Sequence, residues 1–297
     1  MKKGPFIAFL LVSVFCINQG MAQKKKKESK EPDKKETGLS SSTFGGLSFR
    51  SIGPAWASGR ISDFAVNPKN HSEIYVGVGA GNIWKTINNG TTWAPVFDKY
   101  GAYAIGCLTI DPENPAVIWA GTGENTHQRQ LGYGDGVYKS EDGGASWKNM
   151  GLKESRQIGM IAIDTRNTDV VYVAAEGSIW GPGGERGLYK ATDGGKTWNK
   201  ALDISENTGV NNVVTDPRNP DVLYATSEQR RRHVFTKIGG GPESAVDKSK
   251  DAGKKWDKIM NELHTVTRGG MGLAMSRVNQ DVRDMIWEKT SDKHGSK

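Results

Sequence analysis

The chain has 297 residues, with 38 glycines, nine tryptophans, two cysteines and a formal net charge of +7. Two of those charges sit at Lys2 and Lys3, and residues 23–36 carry seven lysines against four acids, so only about +2 remains on the rest. A near-neutral body excludes the concentrated basic face that nucleic-acid binding needs, and so few cysteines exclude a disulfide framework.

Residues 1–22 read as an export signal. Lys2 and Lys3 are its charged start, Phe6 to Ile17 its apolar core, and Gly20-Met21-Ala22 a small-x-small cleavage site. The apolar run is too short to span a bilayer, so no transmembrane helix is expected in the mature form, which would be periplasmic, surface-held or extracellular. Cleavage before Gln23 leaves Cys107 as the one cysteine, read as a small core residue in an apolar strand. Residues 23–46 read as a lysine-rich, disordered linker, too polar to join a core.

From 47 onward one motif organises the chain. Ser140-Glu141-Asp142-Gly143-Gly144-Ala145-Ser146-Trp147 has siblings at Thr86 to Trp93 and Ala191 to Trp198, and a worn copy at Ser249 to Trp256. Each lies between period-two segments, which makes it the turn of a β-hairpin. Glycine supplies positive φ, and the acidic or amide side chain (Asn88, Asp142, Asp193, Asp251) accepts hydrogen bonds from backbone N–H groups just ahead. The tryptophan at the end of each copy (Trp93, Trp147, Trp198, Trp256) buries its ring between neighbouring units. The tryptophans are spaced 54, 51 and 58 residues apart. Turns at Asn67-Pro68, Asp111-Pro112, Asp164-Thr165 and Asp216-Pro217 keep the same beat.

A period near 50 residues with four short strands per unit predicts an all-β fold, a β-propeller of four-stranded antiparallel blades. In the second unit the strands are expected at 106–110, 117–121, 137–140 and 146–150. The blades are expected to fill 47–283 as four recognisable repeats and a partial fifth, an incomplete ring from a fragment, with an irregular tail at 284–297.

The opening Phe49 to Ile61, the four Asp-boxes, Gly121-Thr122-Gly123-Glu124-Asn125, Ile179 to Gly187 and Gln229 to His233 together resemble one family. It is the secreted bacterial Asp-box (bacterial neuraminidase repeat) propellers related to the sortilin N-terminal domain, often labelled glycosyl hydrolases. The resemblance covers about 49–280. It implies a propeller that binds a ligand, and it leaves catalysis open. Two departures stand out. Asp247 occupies the position of Tyr138 and Tyr189, and the pattern fades after Asn279 where family members continue.

Blade parity places the Asp-boxes and the Asp-Pro turns on one face. The opposite rim receives the long second-to-third loops 124–135, 176–186 and 228–243, and irregular loops on a rigid scaffold are where binding concentrates. Candidate ligand-binding residues there are Arg60, His127, Arg129, Arg156, Trp180, Arg186, Arg230, Arg231 and His233. Glu124, Glu176, Glu185 and Glu228 are the carboxylates from which a glycosidase pair would be drawn, since that chemistry takes two carboxyl groups roughly 5–9.5 Å apart. Arg60, Arg156 and Arg268 come from three blades, as a sialidase arginine triad would require. The competing expectation is that these Glu and Arg side chains pair with one another and brace the rim. No metal or cofactor is expected: the histidines at 71, 127, 233, 264 and 294 are scattered, and the Gly-Gly pairs are turns. The leading expectation is an exported, non-catalytic propeller that binds a peptide, protein or carbohydrate. The alternative is a glycoside hydrolase, sialidase-like or other.

Overall fold

The structure, a computed structural model, describes residues 46, 59–126, 131–259, 268–275 and 283–289. The chain divides into Met1–Gly53 and Pro54–Lys297, and every described residue except Gly46 belongs to the second unit. The export signal and, apart from Gly46, the linker lie outside the described residues.

Among the described residues strands succeed one another with almost no helix. The first sheet is β1 (Ile61–Val66), β2 (Ile74–Val78), β3 (Asn82–Thr86) and β4 (Ala94–Pro95), paired in that order. The second is β5 (Ile105–Ile110), β6 (Ile118–Thr122), β7 (Val137–Ser140) and β8 (Lys148–Asn149). The third is β9 (Ile158–Ile163), β10 (Val171–Ala175), β11 (Gly187–Ala191) and β12 (Asn199–Leu202), entered through a single 3-10 turn at Lys153–Ser155. In the fourth, β13 (Thr208–Asp216) and β14 (Asn219–Arg232) pair, β15 (Lys237–Gly239) folds back on the end of β14, and β16 (Ala245–Ser249) and β17 (Asp257–Lys258) complete the order. A two-stranded sheet, β18 (Arg268–Met275) with β19 (Arg283–Lys289), comes last. All pairings are antiparallel. The predicted propeller blades are therefore present, each an up-and-down meander.

Two expectations differ from the observed elements. The 228–243 stretch is a hairpin rather than a loop, because β14 runs on for 14 residues and pairs with β15. Residues 284–289 are strand rather than irregular tail, since the apolar run around Ile286 pairs with β18.

The cores lie between sheets rather than within them. Leu108, Ala120 and Tyr138 of the second sheet pack on Ala65, Tyr75, Ile83 and Phe97 of the first. Ile161, Val173 and Tyr189 repeat the arrangement one sheet on, and Val213 and Ala225 do so again. Asp247 takes the tyrosine register in the fourth sheet, opposite Ala225. Burial pushes its carboxyl up from the ordinary value.

The box turns hold these sheets together as well as closing hairpins. In the second, Asp142 accepts the Ser146 N–H at 2.8 Å and the Ser146 hydroxyl, while Ser140 Oγ accepts the Gly144 N–H at 2.8 Å. Those donors hold the Asp142 carboxyl down to about 2. The bond from the N–H four residues on recurs at Asn88, Asp193 and Asp251. The second and fourth turns then dock on the sheet before them. Tyr75 Oη and Lys85 Nζ both donate to the Gly143 carbonyl, at 2.8 and 2.9 Å, and Tyr172 and Lys190 do likewise to Ala252. The lysine stands over the tyrosine ring in both places.

The inner strands β1, β5, β9, β13 and β18 pack side by side. In all five sheets the pairing of inner to second strand slips by a residue near the strand's start. A bulge bends the strand and re-aims the residues after it. Glycine fills the slip at Gly106 and Gly159, where a Cβ would come within 2.1 Å of the Ile158 and Asn211 carbonyl oxygens of the next inner strand. Those bulges bring neighbouring backbones into contact at the level where the rim begins.

Candidate functional site

The rim is built from the segments that leave the second strands. Glu124 lies just beyond β6, Glu176 just beyond β10, and Glu228 within β14, and all three are buried. Arg60 Nε donates to Glu124 Oε1 at 2.7 Å, and Arg60 Nη2 also contacts that oxygen. The Thr126 hydroxyl donates to it at 3.1 Å. Glu176 is paired with Arg230, both inside the protein. Arg230 Nη1 reaches across to the Thr126 carbonyl at 3.4 Å, so the first four sheets are linked by one polar chain, Arg60–Glu124–Thr126–Arg230–Glu176. Burial presses the Arg230 guanidinium down from its ordinary value. The Glu228 carboxylate receives Asn211 Nδ2 at 3.5 Å. Glu185 accepts the backbone N–H of Glu154 at 2.7 Å and belongs to a loop contact.

Arg186, a ligand-binding candidate from sequence, is engaged within its own loop. It is buried, and its guanidinium donates to the carbonyls of Gly183, Ser178 and Gly181 at 2.8 Å and of Asn207 at 3.3 Å. Burial, with Arg231 nearby, lowers its pKa to about 10, so it stays charged at neutral pH. The 177–186 loop is thus wrapped around its own arginine. Arg231 Nη2 donates to Asn207 Oδ1 at 2.7 Å. Arg156, at φ 59°, pairs with Glu154 at 2.7 Å and lies over the Tyr133 ring. Two members of the supposed arginine triad, Arg60 and Arg156, are therefore engaged by different carboxylates. The Arg268 side chain, His127 and Arg129 lie outside the described residues.

Among the described residues, one corner of the rim is open to solvent. The β14–β15 hairpin turns through Val234 and Phe235, closed by reciprocal backbone bonds between His233 and Thr236. The Arg232 N–H donates to the Ile179 carbonyl at 2.8 Å, which ties the hairpin to the 177–186 loop. Trp180, Arg232, His233, Val234, Phe235 and Lys237 line a cleft of about 490 Å³, open solvent included. Phe235 is 97% exposed and Trp180 41%. Trp180 and His233 are among the candidates read from sequence; Val234, Phe235 and Lys237 are not. Only the strand-like alternation around Arg230 and Arg232 could have pointed to them.

Among the described residues no group of three or more His, Cys, Asp or Glu side chains could hold a metal ion. Cys107 is buried, and burial raises its thiol well above the ordinary value, as expected of an inert core residue. No helix among the described residues is long and apolar enough to cross a membrane.

Residues 135–297, more than half of the chain, match the Sortilin-Vps10 family (sortilin, neurotensin receptor 3). The chain belongs to that family. This Sortilin-Vps10 chain is also 22% identical over 242 residues to a xyloglucanase of Hypocrea jecorina, an alignment covering 72% of the chain and 27% of that enzyme. It is 25% identical over 227 residues to a xyloglucanase of a Paenibacillus species, covering 65% of the chain and 20% of that enzyme. Among solved structures, an ancestral GH74 enzyme superposes with a TM-score of 0.53 at 22% identity, over 69% of this chain and 26% of that one. The GH74 enzyme of Niastella koreensis does so with a TM-score of 0.50 at 22% identity, over 66% and 28%. At that identity the structural likeness establishes the propeller fold. The chain spans 27% and 20% of the length of the two curated relatives.

Proposed function

We propose that this chain engages a polysaccharide of the xyloglucan class on the rim opposite its box turns, as a portion of a glycoside-hydrolase-type propeller. The observation that carries the reading is the run of similarity to xyloglucanases across 72% of the chain. The irregular rim, with an open indole face at Trp180 on which a pyranose ring can stack, is consistent with it. In this reading the box turns are bacterial-neuraminidase-type Asp-boxes with a structural role. Residues 1–22 export the protein, 23–46 tether it, and the four complete blades and partial fifth belong to a longer ring. Glu124 and Glu176 brace the rim through Arg60 and Arg230. Hydrolysis of a glycosidic bond, which takes a positioned pair of carboxyl groups, belongs to the completed ring.

The test is affinity electrophoresis of the purified chain in gels with and without xyloglucan, alongside release of reducing ends from the same polymer. Retardation is expected, relieved in Trp180→Ala, with little hydrolysis by this chain alone. Migration unchanged by xyloglucan would end the proposal. A second reading, peptide or protein binding without catalysis, is favoured by the sortilin-type match over 135–297 and by carboxylates already committed to arginines. Retention of the chain on a peptide array, with no retardation by any glycan, would select it.

A further inference from the structure

We propose that the tip of the β14–β15 hairpin is a membrane-docking element, which seats Val234 and Phe235 in the headgroup layer of an anionic phospholipid bilayer. It is independent of the glycan reading above.

Three observations carry it. The first is an apolar tip in a place that ordinarily faces water. Two-residue hairpin turns favour Gly, Asn and Asp, which suit both the backbone and the solvent. Here the turn residues are Val234 and Phe235, 84% and 97% exposed, and every residue from His233 to Ile238 is exposed. Apolar surface grouped at one projecting point and bordered by polar residues marks a contact with another phase or molecule. Trp180, partly exposed on the neighbouring loop, lines the same cleft as the tip. An indole is one of the side chains that settles at the boundary between headgroups and acyl chains.

The second is charge. Residues 229–242 contain no Asp or Glu, and four of them are Arg or Lys. Arg230 is offset by Glu176, and Arg231 lies near Glu206. Lys237, next to the tip, is exposed and has no carboxylate partner among the described residues. Residues 23–36 add seven lysines against four acids. A shallow apolar insertion alone gives marginal, reversible binding, and a basic segment that meets anionic headgroups supplies the second anchor. A neutral bilayer offers no such attraction.

The third is that the tip is held in place before it meets a surface. His233 and Thr236 exchange backbone bonds across the turn, and the Arg232 N–H fastens the hairpin to the Ile179 carbonyl. Insertion therefore spends little on ordering the backbone.

The experiment reads the tip itself. In the full chain carrying Cys16→Ser, Thr236→Cys is labelled with an environment-sensitive fluorophore, while Cys107 is buried and stays unlabelled. Glu113→Cys, exposed on the box-turn face, carries the same label as a control. Vesicles are either equal parts phosphatidylglycerol and phosphatidylcholine, or phosphatidylcholine alone. The tip label is expected to brighten and shift to the blue on the anionic vesicles only, less so as salt is raised, and the control label to stay unchanged. Phe235→Ser should weaken vesicle binding about tenfold, and Lys237→Glu about fivefold or more. Circular dichroism checks the fold of each variant, and co-sedimentation of the unlabelled chain with vesicles gives a measurement free of the label. A silent tip label on vesicles that do sediment the chain would assign binding to the basic segment alone and overturn the proposal. An equal response on neutral vesicles, an equal response of the control label, or no binding at all would overturn it too. None of these outcomes bears on retardation by xyloglucan, so the two readings fail separately.

Discussion

Trp147 and Trp93 occupy the same place in successive box turns, yet the first is 7% exposed and the second 41%. The turns themselves are wired alike, so local sequence is not the cause. Trp147 lies against Phe97 and donates its indole N–H to the Val96 carbonyl at 3.0 Å, and both partners directly follow β4 of the preceding sheet. Trp198 repeats this with the Met150 carbonyl at 2.8 Å. Among the described residues Trp93 meets no such carbonyl. The tryptophan is thus a wedge between sheets, and its worth is set by what stands on the far side. The same holds along the inner strand, where Phe64 is 58% exposed and Leu108, one sheet on in the same register, 5%.

That contrast can be broken or sharpened by substitution. Trp147→Ala should cost about 3–5 kcal/mol in chemical unfolding of the purified chain, the range for removing a buried aromatic ring, and Trp93→Ala less than about 1 kcal/mol. Equal costs would mean that the indole stabilises its own turn instead. Leu108→Ala should cost about 2–5 kcal/mol, and Phe64→Ala only a few tenths, because the exposed ring already contacts water. A smaller effect is expected from charge. Asp142 is held down to about 2 by its N–H and hydroxyl donors, so its contribution is complete above the ordinary carboxylate value of 3.8 and is lost as pH falls from there toward 2. Asp142→Asn should remove part of the acid sensitivity of the melting temperature in that window. Asn88→Asp should add to it, because the first turn offers the same Thr92 N–H to an amide oxygen. An unchanged acid limb in both variants would show that the box carboxylates are not what acid attacks.

The repeat was legible in sequence because its causes are local. Ser140, Asp142, Gly144 and Ser146 satisfy one another within a few residues, so the turn, the strands flanking it and the 50-residue beat could all be read from the chain. The inner-strand bulges left a trace in Gly106 and Gly159, which meets its meaning only when the next strand's carbonyls are in place. Rim chemistry was legible as composition and not as pairing. Nothing in the sequence tells Arg230 to choose Glu176, or Arg60 to choose Glu124, because those partners are brought together by the stacking of sheets. The carbonyl partners of Arg186 were illegible for the same reason. The hairpin at 233–236 escaped notice because its turn is Val234-Phe235, without the Gly, Asn or Asp by which two-residue turns are recognised.

The wrapping of the 177–186 loop around Arg186 has a consequence of its own. Ser178, Gly181, Gly183 and Asn207 aim their carbonyl oxygens inward at one planar cation, so the loop is in effect a receptor that carries its ligand on a covalent tether. Cutting the tether with Arg186→Ala would leave an imprint shaped for free guanidinium. Millimolar guanidinium, ordinarily a weak denaturant, would then act on that variant as a restorative small molecule, a sign reversal that separates a templated loop from one that is merely packed.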